Sequence, residues 1–98
     1  MLTHIVLVDV AEGTPEDRVE ALVEGLRALP AQIPEIGSYE VGRDLGLAEG
    51  NAEVAIVARF ATPEDLRTYV AHPAHQAVVA DLLEPISPRR VRIQVPAD

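Results

Sequence analysis

Apolar positions recur along this chain with two different periods, and the switches between them mark out its elements. The run His4 to Val10 reads as a strand, and so does Val54 to Phe60. Between them Val19, Leu22, Val23, Leu26 and Leu29 fall at helical spacing and form one apolar face, which Pro30 and Pro34 end. Ile36 to Arg43 sets Tyr39 and Val41 against Ser38 and Glu40, the alternation of a strand. Asp44 to Asn51, with two glycines and an asparagine, reads as a loop. Further on, Leu66, Tyr69 and Val70 share a helical face, the chain breaks at His72-Pro73, and Val78, Val79, Leu82 and Leu83 continue as another helix. Pro85 and Pro88 stop it, and Val91, Ile93 and Val95 alternate with Arg90, Arg92 and Gln94 as a final strand.

The two helical halves open with the same words. Thr14-Pro15-Glu16-Asp17 recurs as Thr62-Pro63-Glu64-Asp65, and each threonine is expected to be an N-cap with proline at N1. The acidic pair then meets the positive end of the helix dipole. The order β-α-β-β-α-β is the ferredoxin-like pattern, an α+β fold with a four-stranded antiparallel sheet and helices on one face. One domain over residues 1–98 is expected. The first strand is apolar on both sides, Val6, Val8 and Val10 opposing Ile5 and Leu7, and the third is similar. A sheet with one wet face should alternate cleanly, so the open face is expected to be covered by a second copy in a C2 homodimer.

Composition narrows the partners. The net charge is -8, which disfavours nucleic acid and anionic membrane surfaces. The chain contains no cysteine, which removes disulfides and thiolate chemistry, and no lysine, which removes a Schiff base. No leader-like segment or membrane-length apolar run is visible, so a cytoplasmic protein is expected. Arg89, Arg90 and Arg92 form the one basic cluster, read as the solvated face of an edge strand.

The chemical signal is concentrated in Tyr69-Val70-Ala71-His72-Pro73-Ala74-His75, which holds one of the two tyrosines and two of the three histidines. Pro73 disfavours helix at His72, making it an N-cap and setting His75 at N3. His75 then shares a face with Val78, Val79 and Leu82 and points inward, as does Tyr69. Burial and the helix dipole push such an imidazole toward its neutral form, the form a general base requires. The pair could equally satisfy one another at a helix corner. His4, on the face of Val6 and Val8, is a further pocket candidate. His72 and His75 do not share a helical face, so no metal site is assigned. There is no phosphate loop, no nucleophile elbow and no cofactor motif.

His4-Ile5-Val6-Leu7, Thr14-Pro15-Glu16, Ile33-Pro34-x-Ile36, Gly42-Arg43-Asp44 and Tyr69-x-x-His72-Pro73-x-His75 together resemble the stress-responsive dimeric α/β-barrel (Dabb) domain. The resemblance implies a ferredoxin-like protomer whose sheet packs on its twin, with a small apolar pocket between sheet and helices. Most members of that family have no assigned reaction. One plant branch is a cofactor-free polyketide cyclase, whose base and helper tyrosine correspond to His75 and Tyr69. That branch also carries a histidine on the central strand, where alignment places Val54. Related dimeric barrels include cofactor-independent monooxygenases.

Two readings result. The first is a homodimeric stress-responsive domain whose apolar pocket, lined by His4, His72, Val54 and Val79, binds an unidentified small molecule. The second is a cofactor-free enzyme of cyclase or monooxygenase type, acting on a polyketide-like substrate with His75 as base and Tyr69 as its polar partner. A dimer serving only as an assembly unit is the third possibility. The missing central-strand histidine and the charge-poor pocket walls expected from the sequence favour the first.

Overall fold

A computed structural model describes residues 1–97. Four strands, β1 (Leu2–Asp9), β2 (Ser38–Arg43), β3 (Val54–Phe60) and β4 (Arg89–Pro96), form one antiparallel sheet in the order β2-β3-β1-β4. Helices α1 (Glu16–Arg27), α2 (Pro63–Ala71) and α3 (Pro73–Val78) accompany it, and α3 runs on as a π-helical turn over Val79–Leu83. This is the ferredoxin-like arrangement expected from the order of elements.

The core lies between the helices and one sheet face. Val19, Leu22, Val23 and Leu26 of α1 pack with Val8, Val41, Val54, Ile56, Ala58 and Phe60 of the strands. Because side chains alternate along a strand, these inward positions leave Ile5, Leu7, Ala55 and Val57 on the opposite face. Arg27, in the last turn of α1, reaches across and donates from Nη2 to the Val41 carbonyl at 2.8 Å.

Several boundaries differ from the sequence expectation. β1 begins at Leu2 and ends at Asp9, earlier than the run His4 to Val10. Leu29 is buried but lies outside α1, in a 3-10 turn over Leu29–Ala31, because Pro30 cannot continue the α-helical hydrogen-bond ladder. β2 starts only at Ser38; at Gly37 the backbone comes so close to the Arg59 carbonyl that a Cβ would sit 3.0 Å from that oxygen.

The two threonine motifs also diverge. Thr62 caps α2 as expected, its hydroxyl accepting from the Asp65 N–H at 3.1 Å. Thr14 does not cap α1. The preceding turn passes through Gly13 at φ +85, and the Thr14 hydroxyl is turned back to donate to the Ala11 carbonyl at 2.6 Å. Pro15 takes the N-cap position, with no side-chain hydrogen bond.

Candidate functional site

The break at His72-Pro73 builds the site. Pro73 has no N–H and fits the first position of a helix, so α2 ends and α3 starts afresh in a new direction. His72 is the cap between them, extended in backbone, with Nδ1 accepting from the Ala74 N–H at 3.0 Å. In an unbroken helix, residues six apart stand about 120° from one another around the axis. Here the break brings the Tyr69 and His75 rings to a centroid separation of 4.4 Å.

His75 Nδ1 lies 3.0 Å from the Val70 carbonyl oxygen. A carbonyl can only accept, so Nδ1 carries the proton and Nε2 of the neutral ring presents its lone pair. Burial lowers the His75 pKa and His72 adds to that, while the bond to Val70 opposes it. His4 is held in the complementary tautomer. The Gln94 amide nitrogen donates to His4 Nδ1 at 2.8 Å, which leaves the ring proton on Nε2. Its pKa is lowered by burial first, then by the charges of His75 and Arg92. One imidazole therefore offers a donor and the other an acceptor.

Tyr69 is 2% exposed and sits at the centre of an aromatic cluster. Its ring lies 5.1 Å from Phe60 and 6.3 Å from His4, and its hydroxyl is 2.8 Å from that of Tyr39. Burial raises the pKa of both phenols, so both remain neutral hydrogen-bonding groups. Tyr39 was not singled out from the sequence. It alternates with Ser38 and Glu40 and packs against the core, where a hydroxyl needs a partner.

His4, Tyr69 and His75 meet in a cavity of about 360 Å³ between sheet and helices, whose lining does not include Tyr39. His4, Tyr69, His75 and Val79 line it, with apolar wall from Val6, Ile56 and Leu66. Val79 and Leu83, four residues apart at the two ends of the π-helical turn, share a face and both line the cavity. His75 and Val79 also border an outer groove with Gln76 and Glu84, so they form part of the partition between cavity and surface.

Two of the sequence candidates stand elsewhere. His72 is spent on its cap and is not on the cavity wall. Val54 lies near the far end of β3, opposite Val8 and Arg43, and Ile56 takes the wall position on that strand. The expectation of charge-poor walls is overturned. The β1–β4 register sets Arg90 opposite Val8, Arg92 opposite Val6 and Gln94 opposite His4, so all three face the helices and line the cavity. Arg90 and Arg92 thus do not belong to the outer face of the edge strand, which Arg89, Val91, Ile93 and Val95 occupy, although Arg92 and Arg89 are both exposed to solvent as the sequence suggests. Among the described residues, no three His, Asp, Glu or Cys side chains cluster as metal ligands would.

The sequence model of the stress responsive A/B barrel domain, Dabb, matches residues 2–96. The chain belongs to the Dabb family. The chain is similar to an uncharacterized protein of Streptomyces coelicolor, 35% identical over 82 residues, 82% of this chain and 84% of that one. A stress-response A/B barrel domain-containing protein of Arabidopsis thaliana is 27% identical over 75 residues, 74% of this chain and 68% of its own. A solved structure of similar shape is a dimeric ferredoxin-like protein of unknown function from Thermobifida fusca. It has a TM-score of 0.89 at 38% identity and covers 98% of this chain and 90% of that one. Among the described residues, no helix of this Dabb domain is long and apolar enough to cross a membrane.

Proposed function

We propose that this Dabb domain is a homodimeric small-molecule-binding protein, each protomer holding a largely apolar ligand between its sheet and its helices. The observation that carries the reading is the cavity itself, in which His4, Tyr69 and His75 converge on apolar walls. Pockets of this kind, a few placed polar groups in a hydrophobic enclosure of some hundreds of Å³, are what small-molecule sites consist of.

The dimer has independent support. The outer sheet face carries Ile5, Leu7, Ala55, Val57, Val91, Ile93 and Val95 as a continuous apolar surface across three strands. On it Leu7 is 43% exposed, Val91 45% and Ile93 54%. A patch of that size on a small domain calls for a partner, and the Thermobifida fusca relative is dimeric. Light scattering after size exclusion should give twice the 10.6 kDa chain mass. A stable monomer at micromolar concentration would overturn the dimer. A ligand screen by native mass spectrometry on wild type and on Tyr69→Phe tests the pocket; the reading expects at least one ligand whose binding the variant weakens.

The His75 tautomer favours a second reading, cofactor-free proton transfer on a polyketide-like substrate. A neutral imidazole whose Nδ1–H is fixed by a backbone carbonyl presents Nε2 as a general base, with Tyr69 beside it. Its test is solvent-deuterium exchange at the acidic carbon of a β-keto ester. Exchange above buffer that His75→Ala abolishes supports it, and exchange equal in the two proteins rejects it.

A further inference from the structure

We infer that the cavity is built for an anionic ligand, a small apolar molecule ending in a carboxylate that Arg90 and Arg92 clamp. The inference rests on the pocket reading above and names the chemistry its occupant must carry.

The two arginines alternate along β4 on the face toward the helices, so their Cα atoms stand about 6 to 7 Å apart, a spacing from which two guanidiniums can converge on one carboxylate. Both line the cavity, Arg90 half-buried and Arg92 exposed to solvent, and Arg92 is near enough to His4 to help lower its pKa. The chain holds 16 acidic residues against 8 basic ones, so a carboxylate partner is abundant. Two of the other six arginines use them, Arg43 pairing with Glu16 and with Glu53, and Arg67 with Glu64. Among the described residues, Arg90 and Arg92 have no carboxylate within ion-pair reach of 4.0 Å. A guanidinium is always charged, and beside an apolar enclosure it is stabilised by an opposite charge with matching planar geometry.

The remaining walls say what the anion is attached to. Val6, Ile56, Leu66 and Val79 offer hydrocarbon surface with no positive charge. The occupant is therefore amphipathic, with an apolar body among these side chains and its carboxylate at β4. Neutral His4 and His75 add one donor and one acceptor for a hydroxyl or carbonyl on that body.

The test compares octanoate with 1-octanol, matched in body and differing in charge, by titration calorimetry on the full chain. Octanoate should bind wild type about tenfold or more tightly than the alcohol, since a charge-assisted hydrogen bond contributes at least that much. In R90Q/R92Q the preference should vanish with octanol binding unchanged, while R67Q, which removes one exposed charge away from the cavity, should keep it. A circular dichroism melt and light scattering check that the double variant remains a folded dimer; if it does not, the single variants R90Q and R92Q must each reduce the preference. Equal binding of the two probes to wild type, or a preference unchanged in the arginine variants, overturns the inference and leaves the pocket reading standing. Failure of both probes to bind would overturn the inference as well, while the pocket reading stands or falls on the ligand screen.

Discussion

The hydroxyls of Tyr39 and Tyr69 lie 2.8 Å apart and tie the edge strand β2 to helix α2 across the core. Burial keeps both phenols protonated, so this is a bond between two neutral groups, and removing either oxygen strands the other. Tyr39→Phe and Tyr69→Phe should each lower stability by about 1 to 2 kcal/mol. The double variant should cost less than the sum, because it leaves no orphaned hydroxyl. Urea denaturation of the four proteins measures the coupling, and simple additivity would mean that the two oxygens do not interact.

The two histidine tautomers are opposite. At pH 7, long-range proton–nitrogen NMR spectra should show His75 protonated on Nδ1 and His4 on Nε2, as the Val70 carbonyl and the Gln94 amide dictate. Gln94→Ala should release His4 to a tautomer mixture without altering His75. The same tautomer on both rings would contradict this arrangement.

Stability should fall as the solution is acidified from neutral. Both His4 and His75 have folded-state pKa values below the ordinary 6.5, so below that pH the unfolded chain takes up protons that the folded one does not. Unfolding is then favoured from pH 6.5 down to the lowered pKa values, below which this contribution is constant. Glu16, held down by its hydrogen bond to Arg43, acts only in a lower window, beneath its ordinary 4.5. Urea midpoints measured between pH 8 and 5 should decline for wild type and flatten for His4→Gln/His75→Gln.

The repeated threonine motif makes unequal contributions. Thr62→Ala removes a helix cap and should cost about 1 kcal/mol, whereas Thr14→Ala loses only an exposed turn bond and should cost less. Thermal melts of the two variants would settle the comparison, and equal costs would speak against the difference in capping.

Much of this was legible in the chain. The helical spacing of Val19, Leu22, Val23 and Leu26 predicts the buried face of α1, and the alternation along β1 and β3 predicts an outer apolar face. The Pro73 rule fixes the conformation of His72 and, with it, the inward turn of His75. The direction of β4 was not legible. Val91, Ile93 and Val95 look like core residues and Arg90 and Arg92 like surface ones; local alternation says only that they are on opposite sides. Which side meets the helices is set by pairing with β1, a contact far apart in sequence. Thr14 defeated the reading for a local reason, since the turn at Gly13 offered its hydroxyl a nearer acceptor. Tyr39 was hidden because a lone tyrosine on a strand carries no sign of a partner on α2.

The facing of β4 joins two properties that would otherwise be independent. Its valines and isoleucine go to the outer surface and Arg90 and Arg92 to the cavity, under one register with Val6 opposite Arg92. Sliding that strand by a single residue would exchange the two sets, pushing charge into the outer contact surface and hydrocarbon into the cavity. Lengthening or shortening the short turn at Ser87 and Pro88 is therefore a change that oligomeric state and ligand choice would register together. Within a lineage of such chains, that turn is where a conserved length would record selection on both at once.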